Sequence, residues 1–236
     1  DLGSRELVAR AEGVYWYPSE VDVSIRPGWF YHDWQDFKVR SVANLVDIYF
    51  NSVGRNSVLL LNIPPDRRGL IHEIDAERIV ELRNYLDKTF ADNLILGRVR
   101  PWSSAKSKSM EYIIKSGKLI NTLLIQEDIT HGQRVEHFSV EALVDGKWRE
   151  VADGTTIGYK RLLRFDECQP ERIRITIDEC RATANIANVG AYYAEPMQSE
   201  HSITMVNDIP KDGWRTVEID AHEAIDDDLT TAWRSE

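Results

Sequence analysis

The run VLLLNI over residues 58–63, halted by Pro64 and Pro65, constrains this chain more than any other stretch. A short apolar run that follows directly on a helical pattern reads as a parallel strand buried on both faces. The preceding segment, FKVRSVANLVDIYFNSVG over residues 37–54, sets Val39, Val42, Ala43, Val46, Tyr49 and Phe50 on one helical stripe. Asp36 is its expected N-cap and Gly54 its expected stop. A second helix is predicted to start near Asp75, with Ile79, Leu82, Leu86 and Phe90 on one face. With EVDVSI (residues 20–25) as an earlier strand, residues 20–90 form two consecutive strand–helix units of an α/β fold. Two such units cannot close a domain, because a parallel sheet needs neighbours on both sides. The start of this α/β region is therefore expected before Asp1, where the chain opens with no basic-then-apolar signal segment.

After Phe90 the texture changes to short alternating strands over residues 118–127, 135–152, 162–167 and 172–179. Asp145-Gly146 between two such runs is a hairpin signal. Regular strands separated by turn residues predict an antiparallel sandwich, with a boundary near Ala91. Residues 194–202 read as a linker, and the remaining tail is too short to close a core of its own.

The net charge of −10 argues against nucleic acid as the main partner. No apolar run approaches the roughly 18 residues that a membrane span needs. Cys168 and Cys180 could pair, ligate a metal or stay free. The segment WYPSEVDVSIRPGWFYHDW (residues 16–34) mixes aromatic rings with Glu20, Asp22, Arg26 and His32. Sugars present polar edges and apolar faces, so a sugar site combines these same side-chain types. Pro27-Gly28 interrupts the strand just before Trp29 and sets that ring at a strand end. In a strand–helix barrel the strand C-terminal ends form the active face. From spacing alone, rim packing is the stronger account of Trp29 and Phe30. Glu20 and Asp22 share one side of a strand, about 7 Å apart along it, and a pair on one strand does not easily flank a ligand. HExxH, GxSxG and P-loop patterns are absent. His72, His131 and His137 read as surface residues, and IDDDL (residues 225–229) as a solvated turn rather than a calcium loop.

Two blocks carry a longer likeness: SIRPGWFYH (residues 24–32) and NSVGRNSVLLLNIPPDRRGL (residues 51–70). They closely resemble the end of the catalytic barrel in the retaining α-L-fucosidase family of glycoside hydrolases. The tail run AIDDDLTTAW (residues 224–233) is similar to the opening of a discoidin-type (F5/8 type C) carbohydrate-binding module. The resemblance implies a multidomain α/β plus all-β chain. Residues 1–90 would be the end of a TIM-like (β/α) barrel and residues 91–194 an antiparallel β-sandwich of jelly-roll, galactose-binding-like type. Residues 195–236 would be a linker and the start of a second carbohydrate-binding-like module. It also implies exo-acting removal of terminal α-L-fucose with retention, through a covalent fucosyl-enzyme intermediate. The nucleophilic Asp would lie before Asp1, and so would the acid/base Glu, with Glu20 as its alternative. Trp29 matches the tryptophan that borders the fucose pocket. Fucosylated glycans are the implied partners, along with the chain's own N-terminal barrel segment, in a periplasmic or secreted enzyme. No cofactor is implied, and a structural calcium in the β-domains is left open. The competing expectation is a non-catalytic carbohydrate-binding protein.

Overall fold

A computed structural model of the chain describes residues 5–13 and 19–197. The acidic IDDDL turn, the discoidin-like tail and the linker beyond residue 197 lie outside the described residues. Helix α1 (Arg5–Arg10) precedes strand β1 (Glu20–Ser24), a 3-10 turn (Asp33–Lys38), helix α2 (Val42–Asn51), strand β2 (Val58–Asn62) and helix α3 (Glu73–Phe90). β1 and β2 pair in parallel, from Glu20 opposite Val58 to Ser24 opposite Asn62.

Two local expectations change. Helix α2 starts at Val42, because the Ser41 hydroxyl caps it by accepting from Asn44 N at 3.2 Å. Asp36, the expected cap, is drawn away to Arg26. Strand β2 is not covered on both faces: Val58 is 51% and Leu60 49% exposed. Its only strand partner among the described residues is β1.

Gly54 follows α2 for a reason other than left-handed backbone. A Cβ there would stand 2.3 Å from the Phe50 carbonyl oxygen and 2.9 Å from Leu162 Cβ. The close approach lets Leu162 N donate to Gly54 O at 2.8 Å. Asn56, at φ 70°, completes the junction. Its Oδ1 accepts from Lys160 N at 2.7 Å and its Nδ2 donates to Ile157 O at 2.9 Å. Gly54→Ala should therefore lower stability by about 1–3 kcal/mol through overpacking. Urea denaturation measures this, and an unchanged midpoint would contradict it.

The rest is a β-sandwich of strands β3 (Trp102–Ser103), β4 (Ser109–Ile113), β5 (Ile120–Glu127), β6 (Val135–Val144), β7 (Lys147–Gly154), β8 (Arg161–Cys168), β9 (Arg172–Cys180) and β10 (Asn185–Tyr192). One antiparallel sheet runs β3-β10-β5-β8 and the other β4-β9-β6-β7, the jelly-roll order. Ile120, Leu123 and Ile125 pack in one buried cluster with Phe138, Val140, Ile173, Ile175 and Ile177. Asp145 and Gly146, both at positive φ, turn β6 into β7, as a tight hairpin demands. The sheet containing β8 also meets the helices: Val42, Val46 and Phe50 bury against Leu162, with Leu82, Tyr85 and Phe90 alongside. Cys168 and Cys180 are free thiols, and burial pushes the Cys168 thiol up. No helix among the described residues is long and apolar enough to cross a membrane.

Candidate active site at the strand ends

The C-terminal ends of β1 and β2 carry the segment rich in rings and charges. β1 delivers Ile25 and Arg26 to the interior, and the chain then turns outward through Gly28 at φ 74°. A β-branched or bulky residue would be strained there. Trp29 emerges just past this turn, with 49% of its surface exposed. Its carbonyl oxygen accepts from Asn62 Nδ2 at 3.1 Å, and the same amide donates to Ser24 Oγ at 3.0 Å. Ile25 N donates to Asn62 O at 3.0 Å. The last residue of β2 thus clamps the loop that presents the indole.

Beneath that loop lies Arg26, whose side chain is wholly buried. Its Nε donates to both carboxylate oxygens of Asp75, at 3.0 and 2.8 Å, and its Nη1 donates to Asp36 Oδ1 at 2.8 Å. Tyr31 covers the guanidinium carbon at 4.7 Å, and His72 stacks on Tyr31 with centroids 5.7 Å apart. Burial alone would lower the Arg26 pKa, but Asp75 and then Asp36 outweigh it and hold the group above its ordinary value. Burial, followed by the Asp36 charge, pushes the Tyr31 phenol up. His72 is therefore no free surface residue: its Nδ1 also accepts from Ile74 N at 3.3 Å, capping α3. Arg40 closes the other side, its Nε donating to Ser24 O at 2.8 Å.

Around this support the rings stay open to solvent. Phe30, Trp34 and Phe37 are 77%, 57% and 81% exposed, and His32 stacks on Trp34 at 5.7 Å. The arrangement offers apolar faces beside carboxylates and imidazoles, the combination that a polar ring-shaped ligand requires. The two early carboxylates lie elsewhere. Glu20 opens β1, at the opposite end of the strand from Trp29, about 13 Å below Ser24 by strand rise. Asp22 is an exposed mid-strand residue opposite Leu60.

The loop from β2 to α3 is shaped by Asp66. Its Oδ1 accepts from Arg68 N at 2.8 Å and Leu70 N at 3.3 Å, and its Oδ2 accepts from Arg68 Nη2 at 2.6 Å. The Arg68 side chain chiefly holds the Asp66 carboxyl down to about 2. A folded pKa below the unfolded value of about 3.9 stabilises the fold above that value, and the gain is lost as pH falls toward 2. Asp66→Asn should flatten the acid limb of a melting-temperature profile between about pH 4 and 2. Parallel profiles for the two proteins would contradict this.

Sequence reasoning singled out Trp29 and named Arg26 among the charges of its run, but it did not foresee that Asp75 and Asp36 hold Arg26 or that Asn62 holds the Trp29 carbonyl. The signal present was an arginine inside an aromatic run, directly after an apolar strand. The partners that neutralise it lie ten and forty-nine residues away, beyond any local pattern.

Residues 6–90 match the family model of Alpha-L-fucosidase. Alpha-L-fucosidase 1 of Arabidopsis thaliana is 32% identical over 226 residues, covering 82% of this chain and 44% of the relative. A crystal structure from Bacteroides ovatus, of a protein provisionally named an alpha-L-fucosidase, superposes with a TM-score of 0.81 at 56% identity. That match covers 92% of this chain and 37% of the other. A glycoside hydrolase family 29 fucosidase of Ruminococcus gnavus, solved in complex with fucose, gives a TM-score of 0.70 at 29% identity, covering 78% and 42%. The chain thus spans less than half the length of each relative. The family that the match and these relatives support for this chain is the alpha-L-fucosidases.

Proposed function

We propose that the intact protein carrying this chain is an exo-acting α-L-fucosidase that releases terminal α-L-fucose from glycans, with retention through a covalent fucosyl-enzyme intermediate. The observation that carries the reading is the half-exposed indole of Trp29 at a parallel strand's C-terminal end, held over a buried ionic support, in a segment matched by the alpha-L-fucosidase family. In this reading Trp29 packs its face against the apolar face of the deoxy-sugar. The nucleophilic Asp and the acid/base Glu lie upstream of Asp1, and Glu20, at the far end of β1 from the indole, is the weaker candidate for the second role.

The exposed Val58 and Leu60 on β2 support further β/α units packing on this pair, so that residues 1–90 form the end of a (β/α) barrel. Residues 91–194 would brace that barrel as a sandwich domain, and residues 195–236 would lead into a discoidin-type module. The enzyme would act in the periplasm or outside the cell. The intact protein should release p-nitrophenol from the α-L-fucoside and not from the β-galactoside, with the anomeric configuration of released fucose followed by NMR. No release from the α-L-fucoside would overturn the reading and leave a non-catalytic carbohydrate-binding protein in its place.

A further inference from the structure

A cleft of about 430 Å³ lies where the end of α2 and its following loop meet the sandwich. Asn51, Arg55, Asp153, Arg161 and Arg164 supply its polar lining. Three guanidinium groups share it with one carboxylate. Arg164 is neutralised from the helix side, its Nη1 lying 2.5 Å from Asp47. Arg55 and Arg161 make no ion pair among the described residues. Their backbones are bridged antiparallel, which keeps the two cations side by side. Arg161 Nε is buried and has no acceptor among the described residues. Burial, then the charge of Arg55, lowers the Arg161 pKa, and Asp153 opposes this. Asp153 is a poor counter-ion: its carboxylate is 66% exposed and also lies 3.7 Å from His137 Nε2.

Two cations held side by side with no carboxylate of their own among the described residues repel each other, and an anion that accepts from their outward N–H groups relieves this. Arginine forks match planar or tetrahedral oxyanions in two-point contact. A cleft of this size also falls within the range that holds a small ligand rather than a bare ion. We propose that this cleft is an oxyanion site that takes the sulfate ester or carboxylate of an acidic sugar, through Arg55 and Arg161. Asp153 sits at the same cleft as a repulsive group that limits affinity. The site is separate from the Trp29 loop: the oxyanion part stands on the cleft alone, and the sugar that carries the anion rests on the proposed function.

The test is titration of the intact protein with sodium sulfate against sodium chloride at matched ionic strength, followed by calorimetry and melting temperature. N-acetylglucosamine 6-sulfate and glucuronic acid then form two further arms that separate the sulfate source from the carboxylate source. Saturable sulfate binding is expected, with Arg161→Met and Arg55→Met each weakening it about ten-fold or more. Asp153→Asn should tighten it about three-fold, since a like charge leaves the site. Arg55 is exposed, so its variant tests the idea even if Arg161→Met fails to fold. Equal effects of sulfate and chloride, or unchanged sulfate affinity in Arg55→Met, would overturn the proposal.

Discussion

Trp29→Ala in the intact protein should lower kcat/KM for an aryl α-L-fucoside by about 10²-fold, because a desolvated aromatic contact is worth roughly 2–3 kcal/mol. The melting temperature should move by only about 2 °C, since half of the indole already faces solvent. Asn62 gives the same prediction a second edge. Its amide holds the Trp29 carbonyl and the Ser24 hydroxyl, so Asn62→Asp, which keeps the shape but loses both donors, should slow turnover about ten-fold. In a Trp29→Ala background that loss should largely vanish, because the clamp then has no indole to hold. Equal losses in both backgrounds would make Asn62 a residue of general stability only. An unchanged rate for Trp29→Ala would reduce the indole to rim packing.

The largest stability effect should come from Arg26. Arg26→Met leaves the fully buried Asp75 carboxylate without its cation, and breaking a buried pair from one side costs about 3–5 kcal/mol. Arg26→Met combined with Asp75→Leu should be less destabilised than Arg26→Met alone, since the orphaned charge is gone. Denaturant unfolding measures both. A loss below about 1 kcal/mol for the single variant would mean that water reaches Asp75 and that the support is soft.

Periodicity made the larger elements legible. The stripe from Val42 to Phe50 became α2, VLLLN became β2, and the alternating runs became β5, β6, β7, β8 and β9. Strand β10 escaped notice because NIANVGAY carries asparagines, alanines and a glycine where a strand usually shows β-branched alternation. Its burial comes from lying between β3 and β5, a tertiary fact. Asp36 illustrates the same limit at the site. As a local signal it is a helix cap, yet a buried guanidinium at 2.8 Å outcompetes the backbone amides for it. Trp29 was legible through Pro27-Gly28 and the resemblance of its block. The apparatus behind it depends on α3 returning Asp75 to the end of β1, which no window of sequence displays.

The central claim is that the Trp29 indole forms one wall of a fucose pocket. A crystal structure of the intact protein soaked with α-L-fucose tests it most directly. The account predicts the sugar ring stacked within about 4–4.5 Å of that indole, the range of apolar contact, at the C-terminal ends of β1 and β2. Fucose bound elsewhere, with the Trp29 loop packed away from it, would contradict the account.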